Sequence, residues 1–171
     1  KQSFLLGAAR LLDKFNPCDP ITSEQVKQIE NYLEQNLQPL FSAVDRFTHT
    51  PTPSPKGLGV GRRLELIGSS GSFDSIAEMI AHRFYTIDIL NGKTEYDFDL
   101  DEVKQIYDIL LKSTTKERMH IQGLTKMRVD MIVVSLIFVN FIILRLGLKK
   151  MRLSKYSLKE GVLWELMHSE K

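Results

Sequence analysis

Hydrophobic positions recur at helical spacing over most of the chain, and only short runs alternate or cluster in the manner of strands. Val26, Ile29, Leu33, Leu37, Leu40, Phe41 and Val44 form one apolar stripe behind Thr22 and Gln25, a capping-box pair. They predict a single amphipathic helix. A second helix is expected over Phe73–Phe84, with Ser72 or Asp74 at its cap, and a third behind Asp99 and Glu102. Thr114 with Glu117 opens a short helix ending near Gly123; a long one follows from about Thr125 to Leu146, closed by Gly147. Ser157 with Glu160 caps the last, toward His168. Strands are expected at Ser3–Leu12, Leu64–Ile67 and Met151–Ser154, and Asn91-Gly92 predicts a hairpin within Tyr85–Phe98. The fold class is therefore α/β, rich in helix, with a small sheet.

Residues 48–61, with three alternating prolines and three alternating glycines, read as a flexible surface loop. The most apolar run, Met131–Leu144, falls short of the about 20 residues a spanning helix needs and is bounded by Arg128, Asp130 and Arg145. It reads as a helix buried inside an α/β domain, so no membrane partner is expected. The chain has 171 residues, enough for one domain or two small lobes, and a formal charge of +2 too small to demand an acidic partner. One cysteine, Cys18, forms no internal disulfide, and the reading defaults to a reducing, cytoplasmic compartment. The chain opens inside an apolar run without an initiator methionine, as expected of a domain cut from something longer.

Few residues combine into chemistry. Asp97, Asp99 and Asp101 open a calcium-like loop, but Glu102 stands where glycine is needed and Asp108 where the closing glutamate belongs. The four histidines lack ligand spacing, so no metal ligands are assigned. Lys149, Lys150, Arg152, Lys155 and Lys159 form a basic patch suited to a polyanion; without interleaved aromatics it does not indicate nucleic acid. The informative feature is strand, glycine loop and helix at residues 64–84. There, backbone N–H groups and a helix N-terminus can hold phosphate oxygens, or the loop is simply a tight turn. It has neither the lysine of a Walker A loop nor the spacing of a dinucleotide fingerprint.

Four motifs in order resemble the exopolyphosphatase and guanosine-pentaphosphate phosphatase (Ppx/GppA) family. They are Leu6-Gly7-Ala8-Ala9-Arg10-Leu11, then Ile67-Gly68-Ser69-Ser70-Gly71-Ser72, then Glu117-Arg118 with Gly123-Leu124 and Arg128-Val129-Asp130-Met131-Ile132, and finally Leu158-Lys159-Glu160-Gly161-Val162-Leu163 after Ser154. The resemblance implies a ribonuclease H-like, actin-like ATPase fold, of which residues 1–171 would be the second lobe, a partial domain. It implies a hydrolase releasing terminal phosphate from inorganic polyphosphate or guanosine pentaphosphate, with magnesium. Gly68, Ser69, Ser70, Gly71, Ser72 and Arg128 would contact phosphate, whereas the catalytic glutamate is expected upstream, in a missing first lobe, leaving the fragment alone inactive. An alternative role for Arg128 is to anchor its helix by pairing with Asp130 or Glu117. The chain departs from the family pattern at Lys155, where aspartate is usual, and at Lys159, where arginine is usual. The alternative function is accordingly a sensor module that binds guanosine tetraphosphate, guanosine pentaphosphate or polyphosphate without hydrolysis. An isolated lobe also exposes its partner surface, which leaves a homodimer open.

Overall fold

The computed structural model describes residues 3–49, 64–69 and 71–168. The expected flexible loop at 48–61 therefore lies outside the described residues from position 50 onward, as do Arg62, Arg63 and Ser70.

The first element corrects the sequence reading. Residues 8–15 form a helix, α1 (Ala8–Phe15), not a strand. The segment holds Ala, Leu, Arg and Lys but no β-branched residue, so helix propensity decides once Leu11 is buried against a later helix. Asn16 stops it in the left-handed conformation, at φ 37°. The single long helix expected next is two, α2 (Ser23–Asn36) and α3 (Gln38–His49). Pro39 has no N–H to donate back into α2, and the ladder breaks at Leu37. The capping box of Thr22 and Gln25 forms as expected, and the stripe of Ile29, Leu33, Leu37 and Phe41 is fully buried.

A strand, β1 (Leu66–Ser69), leads through Gly71 into α4 (Ser72–Phe84). No hairpin follows. Residues 87–90 make a 3-10 turn, and Asn91 (φ −66°) with Gly92 (φ +68°) forms a type II turn, not the I′ turn that needs positive φ at both positions. The chain is thus not folded back on itself, and β2 (Glu95–Phe98) finds its partner elsewhere. Asp99 caps α5 (Leu100–Lys112) by accepting from the N–H groups of Asp101 and Glu102; the Glu102 side chain does not complete a box but accepts from the Tyr85 hydroxyl at 2.5 Å. Thr114 and Glu117 do close their box at the start of α6 (Thr115–Arg118).

The long apolar helix starts later than predicted. A 3-10 turn at Lys126–Arg128 precedes α7 (Met131–Arg145), which is buried on most of its circumference by α1, α2, α4 and α5. No helix among the described residues is long and apolar enough to cross a membrane. Gly147 closes α7 at φ +59° as expected, and β3 (Met151–Ser154) follows where it was predicted. The Ser157 N–H and hydroxyl donate to the Glu160 carboxylate at the head of α8 (Leu158–His168).

The sheet has the order β1-β3-β2, β1 parallel and β2 antiparallel to β3. Gly68, Phe98, Met151 and Leu153 turn inward onto the core. On the outer face Arg152 pairs with Glu65, Glu95 and Asp97 at 3.4, 3.2 and 2.7 Å. Three carboxylates from the flanking segments thus neutralise one cation of the expected basic patch.

Gly123 locks the α6–α7 connection onto α4. It adopts φ +83°, and a Cβ there would lie 2.5 Å from the Glu78 carbonyl carbon, an immovable backbone atom. Gly123→Ala is expected to destabilise the fold by about 2 kcal/mol, through strained φ and overpacking together, read from urea unfolding.

Candidate functional site

Parallel pairing places Ser69 opposite Ser154, so β1 and β3 end at the same edge of the sheet, where α4 begins. Open α/β sheets present ligands with their strand carboxyl ends in this way. Two glycines make the turn feasible for different reasons. Gly68 is buried with the Phe73 ring against its Cα; an added Cβ would fall 2.0 Å from that ring. Gly71 is the residue before α4 and adopts φ +54°, which an L side chain rarely accepts. Having no side chain, it leaves the first N–H groups of α4 uncapped, and the first intrahelical bond runs from the Ser75 N–H to the Gly71 carbonyl. Gly68→Ala is expected to cost about 2 kcal/mol, because Phe73 must leave its contact with Phe98, and thermal unfolding reads the loss directly.

Arg128, distant in sequence, meets this turn. Its Nη1 lies 2.7 Å from where a Gly71 Cβ would stand, so the absent side chain is what admits the guanidinium. Arg128 is half-buried and forms no ion pair with Asp130, Glu117 or any other carboxylate among the described residues. The anchoring role considered for it belongs instead to Arg118, which is only 5% exposed. The Arg118 guanidinium donates to the carbonyls of Val129 (2.9 Å) and Ser113, to Thr115 Oγ1 (2.9 Å) and to Asp19 Oδ1 (2.9 Å). Burial pushes the Asp19 carboxyl up, but hydrogen bonds from Thr115 and Arg118 outweigh it and hold the group below its ordinary range.

The structure thus brings Gly68, Ser69, Gly71, Ser72 and Arg128 together; Ser70 lies outside the described residues. The Ser72 hydroxyl is engaged internally, donating to Ser135 Oγ at 2.8 Å, and Ser135 donates onward to the Met131 carbonyl at 2.9 Å. Ser72 can therefore offer an oxyanion its N–H, while its side chain ties the start of α4 to α7. Ser135 was legible only as a polar interruption of an apolar run; nothing in the sequence marks it as a support for this turn. Lys155 follows β3, its N–H donating to the Thr94 carbonyl, and lines a cavity of about 220 Å³ with Asp74 and Glu78. Backbone donors beside a guanidinium, with no carboxylate in ion-pair contact, make an arrangement that can hold a phosphate oxygen. No three His, Cys, Asp or Glu side chains among the described residues converge as they would in an all-protein metal cage.

The Ppx/GppA phosphatase family model matches residues 1–170. The chain belongs to the Ppx/GppA phosphatase family. An exopolyphosphatase from Cytophaga hutchinsonii is 32% identical with a TM-score of 0.80, covering 99% of this chain and 50% of that one. The Aquifex aeolicus member of the Ppx/GppA family is 19% identical with a TM-score of 0.69, over 96% of this chain and 48% of that one. An exopolyphosphatase-like protein is 16% identical, with a TM-score of 0.75 over 96% and 49% of the two chains. No curated protein matches the chain. This Ppx/GppA chain therefore has the actin-like α/β fold of its family and spans about half the length of the solved structures it matches.

Proposed function

We propose that this Ppx/GppA chain is the second, phosphate-binding lobe of a hydrolase that releases terminal phosphate from inorganic polyphosphate or guanosine pentaphosphate. The observation that carries the reading is Arg128 lying against Gly71 at the uncapped start of α4. A terminal phosphoryl group seated there receives backbone N–H groups on one side and a guanidinium on the other. Charge that grows on its oxygens during anhydride cleavage then meets fixed donors. The lobe supplies the cradle; the carboxylate that orients the attacking water, and magnesium with its ligands, come from the other half of a two-lobed protein. The last helix, α8, favours such a partner. Leu163, Trp164, Leu166 and Met167 are each more than half exposed on it, an apolar surface of the kind that another lobe, or a second copy, covers.

The test is phosphate release from long-chain polyphosphate and from guanosine pentaphosphate, with magnesium, by this chain and by one joined to a preceding first lobe. Release by the joined chain only is expected. Saturable binding by the joined chain without release would replace hydrolysis by the sensor reading. In the joined protein Gly71→Val is expected to cut turnover about tenfold or more, by displacing Arg128 and straining φ, while unfolding stays cooperative. Unchanged turnover would remove Gly71 from the site.

A further inference from the structure

Helix α7 is apolar over most of its surface, and Ser135 stands among its buried residues at 5% exposure, between Val134 and Leu136. Alanine would serve the helix itself better at that position. It has the higher helix propensity, and a serine hydroxyl turned back onto the carbonyl four residues earlier slightly weakens a helix. The Ser135 hydroxyl is nonetheless engaged on both sides. It donates to the Met131 carbonyl at 2.9 Å and accepts from the Ser72 hydroxyl at 2.8 Å, across 63 residues of sequence. A hydroxyl has one proton, so Ser72 gives its own to Ser135 and has none left for a phosphate oxygen.

The two ends of this relay adjoin the two groups of the phosphate cradle. Ser72 follows Gly71, and Met131 lies three residues after Arg128. Between Arg128 and Met131, the Val129 carbonyl accepts from Arg118 Nε at 2.9 Å. The segment carrying Arg128 is thus tied to the buried Arg118 and, through Ser135, to the residue beside Gly71. We propose that Ser135 is a positioning residue for phosphate release: its hydroxyl fixes the spacing between the start of α4 and Arg128, so that N–H groups and guanidinium converge on one phosphoryl group. The proposal rests on phosphate binding at this turn. A misplacement of about 1 Å can cost a reaction about a hundredfold. Breaking one link while Gly71 and Arg128 stay in the chain is expected to cost about tenfold.

The experiment compares Ser72→Ala, Ser135→Ala and the double variant of the two-lobed protein in polyphosphate hydrolysis with magnesium, each assayed below its unfolding midpoint. Each single change is expected to lower kcat about tenfold, and the double variant no further, because both break the same link; independent losses would multiply to about a hundredfold. The thermal midpoint of the double variant should lie within about 3 °C of that of the unaltered protein, since no hydroxyl is left without its partner. Stability kept without turnover separates positioning from support of the fold. Without ligand, the nuclear Overhauser contact between a Gly71 Hα and the Arg128 side chain should be strong in the unaltered protein and weak in all three variants. That contact unchanged in Ser135→Ala, multiplied losses in the double variant, or turnover that returns with stability would each overturn the proposal. Arg128→Ala serves as the reference. If it is slow while Ser135→Ala releases phosphate at the unaltered rate, the positioning role alone fails. If Arg128→Ala also keeps the unaltered rate, the phosphate reading fails and the positioning role falls with it.

Discussion

Replacing Arg128 with alanine in the two-lobed protein is expected to lower phosphate release from polyphosphate by about a hundredfold, with the thermal midpoint unchanged. Both halves of that expectation come from the same geometry. The guanidinium meets the start of α4 only because Gly71 has no side chain, and no carboxylate among the described residues pairs with it. Its removal therefore breaks no ion pair in the folded chain, and stability is not at stake. Its guanidinium lies against Gly71 at the start of α4, so with phosphate seated there its loss would be felt where phosphate charge develops. Arg128→Lys keeps a charge but not the planar fork and is expected to recover only part of the rate. A fall in the thermal midpoint equal to that of a buried-core variant would mean that Arg128 is an anchor after all.

Arg118→Ala carries the opposite signature: a loss of about 3 kcal/mol of stability, or about 10 °C in the thermal midpoint, because buried acceptors lose their only guanidinium. The carbonyls of Ser113 and Val129 are left without its hydrogen bonds, and Asp19 loses its charge partner and keeps only the Thr115 N–H. Since α6, the 3-10 turn and the segment before α2 are all tied through this one side chain, they should loosen together. Hydrogen exchange at Thr115–Met119 reports it. The pH dependence follows from Asp19. Its carboxyl lies below the ordinary value in the folded chain, so its contribution is complete above the unfolded value of about 3.9 and is lost as pH falls through the folded one. Asp19→Asn should flatten that acid limb of the stability profile; an unchanged limb would remove Asp19 from the account.

The two arginines show why the candidate site was only partly legible in the sequence. Arg128 and Gly71 were both singled out, but their contact depends on how α7 packs against α4, which spacing does not encode. Spacing alone marks no role for Arg118, since burial and four acceptors from three segments are tertiary facts. Local signals did well where chemistry is local: the boxes at Thr22 and Thr114, the Ser157–Glu160 pair and the stop at Gly147 stand as expected. They failed where a competing preference was overlooked. Ser3–Leu12 patterns as a strand but contains no β-branched residue, Pro39 interrupts a continuous apolar stripe, and Asn91-Gly92 suits a type I′ hairpin turn but also the type II turn it forms. The sheet was foreseen in its composition more than in its pairing: β2 joins β3 because the type II turn sends the chain onward, and only then do β1 and β3 end side by side at the glycine turn.

The central claim is that the turn from β1 into α4, with Arg128, is where phosphate binds. It is tested most directly by following backbone amide and arginine side-chain resonances of this chain while tripolyphosphate is added at fixed salt. Saturating shifts at Ser69, Gly71, Ser72 and Phe73, together with the Arg128 guanidinium and absent in Arg128→Ala, are the predicted result. Shifts that instead gather on Lys149 and Lys150, or that persist unchanged in Arg128→Ala, would contradict it.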